Sequence, residues 1–286
     1  MTFIRLQNAA LEADIDAQGA KVVRLIFRPL QLAVLHENPA GGMFPMLPLA
    51  NRVAGNRFMF QGREIVLPHH HADAHFFLHG EGWLQRWDLI ECGGDYCVLQ
   101  LRRQHLCGFD YLAQIRYQLL SNQLIASLTL THCGARPMPY GCGFHPFFTF
   151  DKNSLVQFQA SGYWPEGENH LPIAWQGHLP DDADFSLPQY GEDRWLNVGY
   201  SGWSGRARVL SNVMNVTIIS QTPWLMLFRM PGEPFLCLEP QSHPVNAHNM
   251  DGQPGLRVLG AGDVLHFSIK ICVQSGNFLR TATCWN

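Results

Sequence analysis

The sequence is short of charge. Only 15% of its residues are charged and the formal net charge is −3. No basic run is long enough to track a phosphate backbone or an anionic bilayer, which sets aside nucleic acid and membrane surfaces as partners. Low charge does not mean disorder here, because 47% of the 286 residues are hydrophobic, ample for a large core. Long apolar runs are missing as well. The start soon meets Glu12, Asp14 and Asp16, and the run 224–228 stops at Arg229 after a strand's length. Neither a secretory leader nor a membrane span fits, so a cytoplasmic chain is expected. None of the eight cysteines (Cys92, Cys97, Cys107, Cys133, Cys142, Cys237, Cys272 and Cys284) forms a C-x-x-C pair, and they read as reduced, mostly buried thiols. The patterns G-x-x-x-x-G-K-[ST], G-x-G-x-x-G and G-x-S-x-G are absent, which removes sequence support for nucleotide, dinucleotide and serine-hydrolase sites.

What is present has a period of two. Residues 111–120 place Ala113, Ile115, Tyr117 and Leu119 on one face. Ser121 and Asn122 supply a turn, and 123–131 alternates again through Leu124, Ala126, Leu128 and Leu130. Residues 21–27, 98–102, 215–220, 224–230, 235–239 and 264–273 also read as strands. No segment shows three capped helical turns. Residues 172–195 are polar and rich in Pro and Asp, and read as a long surface excursion. The expectation is one all-β, mainly antiparallel domain over 1–286, a large β-sandwich with its core at about 3–273 and a tail at 274–286.

Four segments set ionisable groups in apolar or Gly/Pro-shaped surroundings. Asn51 and Arg52 end an apolar stretch and offer donors to an oxygen-rich ligand. His79 sits before Gly80, where the backbone is free to be irregular. Pro146 pushes His145 into extended geometry among aromatic and small neighbours, a dry setting that lowers a histidine pKa. Alternation puts Phe235, Cys237 and Glu239 on one strand face, and burial there would raise Glu239 toward a useful base. A bland reading stands beside each: a surface ion pair for Arg52, backbone-bonded core histidines, a buried Glu–Arg pair. Two rival sites carry less. His71, His75 and His79 have helical zinc-ligand spacing, but Pro68 and Gly80 bracket them, so no metal is expected. Cys142 lies three residues before His145, which does not make it a nucleophile.

Taken in order, Leu49-Ala50-Asn51-Arg52-Val53, Leu78-His79-Gly80, His145-Pro146-Phe147-Phe148, Tyr200-Ser201-Gly202-Trp203-Ser204-Gly205 and Leu238-Glu239-Pro240 with Asn246 following resemble the aldose 1-epimerase (galactose mutarotase) family. The resemblance spans about residues 3–273 and implies a supersandwich with a sugar cleft on one sheet. It implies Glu239 as general base on the C1 hydroxyl and His145 as general acid on the ring oxygen. It makes Arg52 and His79 residues that orient the sugar, with no metal or organic cofactor. One position departs: the family's usual Asp before the Gly-Trp segment is Asn197 here, and Asp193 lies four residues earlier. An amide still binds hydroxyls but brings no charge. Asn51 and Trp203 complete the expected sugar-binding set, Trp203 by stacking or, equally, as core. A monomer or homodimer interconverting the anomers of a free hexose is the expected function. The rivals are a hexose-phosphate 1-epimerase, with Arg52 and Arg57 as candidate phosphate ligands, and a non-catalytic carbohydrate-binding or regulatory module.

Overall fold

The computed structural model describes residues 3–37, 41–70, 72–190 and 193–276. Antiparallel pairing dominates, and the only helical elements among these residues are four single 3₁₀ turns. Ten strands form one sheet. From edge to edge it runs Ile4–Gln7, Leu11–Asp16, Lys21–Phe27, Met43–Met46, Gly143–Thr149, Phe235–Gln241, Trp224–Arg229, Leu196–Ser201 and Gly162–Trp164, with the short Leu32–Ala33 beside Lys21–Phe27. A nine-stranded sheet runs Gln189–Tyr190, Leu155–Phe158, Arg206–Leu210, Met214–Ser220, Val264–Ser275, Gln123–His132, Phe109–Leu120, Tyr96–Leu106 and Asp88–Cys92.

The alternating strands behave as their sequence directs. Phe109–Leu120 and Gln123–His132 bury every second residue, including Ala113, Ile115, Tyr117, Leu124, Ala126 and Leu128, in the large core cluster. Each cross-strand pair holds the register, as in Ile115 opposite Leu128. The middle strands of the ten-stranded sheet differ, because they are buried on both faces. In Phe235–Gln241 all seven residues are buried. Leu236 and Leu238 join the large core, whereas Phe235 and Cys237 join a smaller cluster with Phe44, Met46 and Phe147. This second cluster floors the outer face of the sheet, the face that holds the candidate site.

Several expectations are corrected. The strand containing Glu239 continues two residues further, to Gln241, and the last strand runs to Ser275 rather than ending at 273. The excursion at 172–195 is not wholly superficial: Ala183 and Phe185 are buried in the core, and Gln189–Tyr190 pairs with Leu155–Phe158. Seven cysteines are free, and only Cys97, Cys142 and Cys237 of these are buried; Cys284 lies outside the described residues.

Candidate active site

Strand register sets the centre of the site. The rungs Gly143 opposite Gln241 and Phe147 opposite Cys237 bracket His145 and Glu239, which therefore face each other across adjacent strands. Each precedes a proline, and neither Pro146 nor Pro240 brings an N–H to the ladder between those rungs. His145 Nε2 lies 3.2 Å from Glu239 Oε1, and Gln241 Nε2 donates to Glu239 Oε2 at 3.1 Å. Both side chains are nearly fully buried. Burial opposes charge on either, so Glu239 is pushed up to about 8, against the pull of Gln241 and Arg52, and His145 down to about 3, with Arg52 and Lys21 adding to the push. At neutral pH the pair thus holds one transferable proton. His145 Nδ1 is buried with no protein partner.

Two loops bring the remaining polar groups. Asn51 and His79 both adopt left-handed backbone (φ +59° each) and are stapled together. The His79 N–H donates to Asn51 O at 2.9 Å, and the Asn51 N–H donates to His79 Nδ1 at 3.1 Å. An accepting Nδ1 on a neutral ring leaves the proton on Nε2. Burial, with His145 and Arg52 nearby, holds His79 well below its ordinary value and so neutral. Its ring meets that of His145 edge to face at 5.1 Å. The Arg52 guanidinium bonds Asn51 Oδ1 (3.3 Å), lies 3.7 Å from Asp73 and leaves Nε without a protein partner. Asn246 buttresses this loop from behind, its Oδ1 accepting the Ala54 N–H at 2.9 Å and its own N–H donating to Arg52 O at 3.0 Å.

These groups surround a cavity of about 300 Å³, at the lower end of the range for small-molecule sites. Asn51, Arg52, His79, His145, Asn197 and Glu239 all line it, together with Lys21 and an apolar wall of Phe44, Trp83, Phe147, Trp195 and Phe228. Trp203 does not. Its indole is 4% exposed within the core and donates to Arg206 O at 3.0 Å, so the cleft aromatics come from elsewhere. Arg57 is also elsewhere, at the surface beside Glu64. Sequence reading overlooked Lys21, which gave no signal within an ordinary strand pattern, and Glu166, whose carboxylate accepts from Asn197 Nδ2 and Trp195 Nε1 at 2.6 Å each. Asp193 is turned away, accepting the Gly232 N–H at 2.7 Å.

The histidine tract is irregular coil around His69, His70 and His75, without the helix its spacing would need; His71 lies outside the described residues. Among those residues the donor atoms of His145, Cys237 and Glu239 come within 4.8 Å of one another, a set of metal-ligand types. Cys237 does not line the cavity, however, and burial pushes its thiol well above the ordinary value, whereas a metal needs the thiolate. Cys142 faces the core, its thiol pushed up to about 12 by burial.

The aldose 1-epimerase family profile matches residues 2–272. The chain belongs to the aldose 1-epimerase family. An uncharacterized Escherichia coli K12 protein, YphB, is 34% identical over 96% of this chain and 99% of its own. A crystal structure from Escherichia coli K12, provisionally described as an aldose 1-epimerase, superposes with a TM-score of 0.91 at 29% identity, covering 96% of this chain and 99% of that one. A galactose mutarotase-like protein from Lactobacillus casei shares the fold (TM-score 0.81, 15% identity, 96% and 100% coverage). The aldose 1-epimerase family membership and this galactose mutarotase-like fold fit an isomerase-type enzyme with a sugar substrate. No helix among the described residues is long and apolar enough to cross a membrane.

Proposed function

We propose that the chain interconverts the α and β anomers of a free hexose, with Glu239 and His145 as its proton-transfer pair. The observation that supports this is the 3.2 Å contact between two buried groups displaced in opposite directions, Glu239 up and His145 down. Opening a pyranose requires one proton to leave the C1 hydroxyl and one to reach the ring oxygen as the C1–O bond breaks. A pair holding a single proton does both. With the proton on His145, Glu239 takes the hydroxyl proton while His145 protonates the ring oxygen. Rotation about C1–C2 exposes the other carbonyl face, and the reverse transfers close the ring and restore the pair. His79, through its Nε2–H, and Arg52 steady charge on the sugar oxygens. Asn51 and Asn197 bond hydroxyls, and the aromatic wall covers the ring's apolar face.

Polarimetry on freshly dissolved α-D-galactose and α-D-glucose tests this directly. Wild type should hasten the approach to anomeric equilibrium and His145→Ala should not; no acceleration of either sugar removes the free-hexose assignment. Lys21 favours a second reading, a phosphorylated aldose, because it adds a second cation, after Arg52, to the cavity lining. Hexose 6-phosphates in the same assay separate the two.

A further inference from the structure

The end of the cavity away from Lys21 is organised by a carboxylate outside its lining. Glu166 follows the edge strand Gly162–Trp164 in a closed turn, where Gly167 N–H donates to Leu171 O at 2.7 Å and Ile173 N–H to Pro165 O at 3.0 Å. Three donors converge on it: Asn197 Nδ2 and Trp195 Nε1 at 2.6 Å each, and His170 Nδ1. Burial opposes its charge, but these donors outweigh burial and hold the carboxyl below its ordinary value. Trp195 is wedged further, edge-on to Phe228 at 5.4 Å and tilted against His170 at 5.5 Å. Asn197 is buried and lines the cavity two strands from that of Glu239 and two residues out of register with it, roughly 12 Å away at ordinary strand spacing and rise.

We propose that Glu166 is a positioning residue that sets sugar selectivity: by holding Asn197 Nδ2 and Trp195 Nε1 it leaves Asn197 Oδ1 to accept from one sugar hydroxyl. An amide alone is ambivalent, since either end suits a hydroxyl. A carboxylate behind it removes the ambiguity, because turning the amide over would set Oδ1 against Glu166. Glutamine at 166 has the same shape but only one oxygen, so its NH₂ would oppose an incoming N–H.

This rests on the reading of the cavity as a sugar site, and two measurements separate the two claims. The first needs no sugar. The Trp195 indole proton, followed by NMR, should move upfield and exchange faster in Glu166→Gln than in wild type; an unmoved resonance overturns the proposal. The second is calorimetry with D-glucose, D-galactose and their monodeoxy derivatives. One deoxy sugar should bind wild type roughly tenfold more weakly than its parent, the loss of one hydrogen bond, and the gap should shrink below about twofold in Glu166→Gln. Glu166→Asp, which keeps the charge at shorter reach, should fall between and serves if Glu166→Gln folds poorly. In turnover the change should appear in KM, with kcat within about threefold, and Glu166→Gln should add nothing in an Asn197→Ala background. Equal discrimination by wild type and Glu166→Gln overturns the selectivity role. Wild type that binds no aldose overturns the sugar-site reading and this role with it, whatever the indole proton shows.

Discussion

Glu239 is held protonated by burial, whereas the proposed reaction needs it to take up a proton, and that tension is measurable in two ways. The pair keeps one proton between about pH 3 and 8, so kcat/KM for the turned-over sugar should be flat through neutrality and fall about tenfold per unit above pH 8. Glu239→Gln should lower kcat by 10²–10⁴, roughly the worth of one acid–base catalyst, without unfolding the protein. A carboxyl raised on folding contributes stability that is full below the unfolded value near 4.5 and is lost as pH rises to the folded value near 8. Glu239→Gln escapes that loss. Its melting temperature relative to wild type should climb between pH 5 and 8 and then level off, with about 1.4 kcal/mol gained per unit. Glu239 and His145 were legible from strand alternation and a following proline. Trp203 misled because an indole suits core and cleft alike. Glu166 was hidden because only the tertiary fold carries it to Asn197, 31 residues away in sequence.

The elements with clean alternation were found from sequence, as were the short apolar runs that became Trp224–Arg229 and Phe235–Gln241, but two other strands of the ten-stranded sheet that carry site residues were not. Gly143–Thr149 carries His145 yet presents a nearly continuous apolar and aromatic string, because one face meets the core and the other floors the cavity. Leu196–Ser201, which carries Asn197, was not assigned although Leu196, Val198 and Tyr200 alternate with Asn197, Gly199 and Ser201, because it directly follows the polar, Pro- and Asp-rich stretch 172–195. The loop that delivers His79 depends on Gly80, which has φ +66° and would place a Cβ 2.2 Å from Leu47 O. Gly80→Ala should destabilise the protein by about 2–3 kcal/mol in denaturant titration, combining backbone strain with a clash against main chain. It should also lower kcat/KM more than tenfold by displacing the Asn51–His79 staple, whereas Gly62→Ala, in open space, should leave kcat/KM unchanged.

Across the molecule, His79, His145, His243 and His248 are all buried and held below the ordinary histidine value by burial. Such groups stabilise the fold above pH 6.5, and that stability is lost as pH falls toward their folded values, near 4 for His243 and near 3 for His145. Between pH 6.5 and 4.5 unfolding lets four histidines gain protons while Glu239 gives one up. Stability should drop by about 4 kcal/mol per unit, enough to exhaust an ordinary domain's 5–15 kcal/mol near pH 4–5. Circular dichroism against pH would show a steep transition with a net uptake of about three protons. His248, whose ring packs on Phe58 with neither nitrogen bonded, contributes one of them, and His248→Leu should flatten the transition accordingly. The all-β class and the sandwich were open to sequence reading because period two and turn punctuation are local. The burial of His79, His243 and His248 was not, since it arises where loops from distant parts of the chain meet, whereas His145, on the strand Gly143–Thr149, was marked by its apolar neighbours and Pro146.

Pro146 and Pro240 also determine how the centre of the sheet reports on itself. Amide hydrogen exchange maps opening wherever a backbone N–H can swap its proton, and these two positions have none to swap. Only the two prolines are silent to the technique, so loosening around a ligand must be read from the amides of His145 and Glu239 themselves and from the rungs that flank them, Gly143 with Gln241 and Phe147 with Cys237.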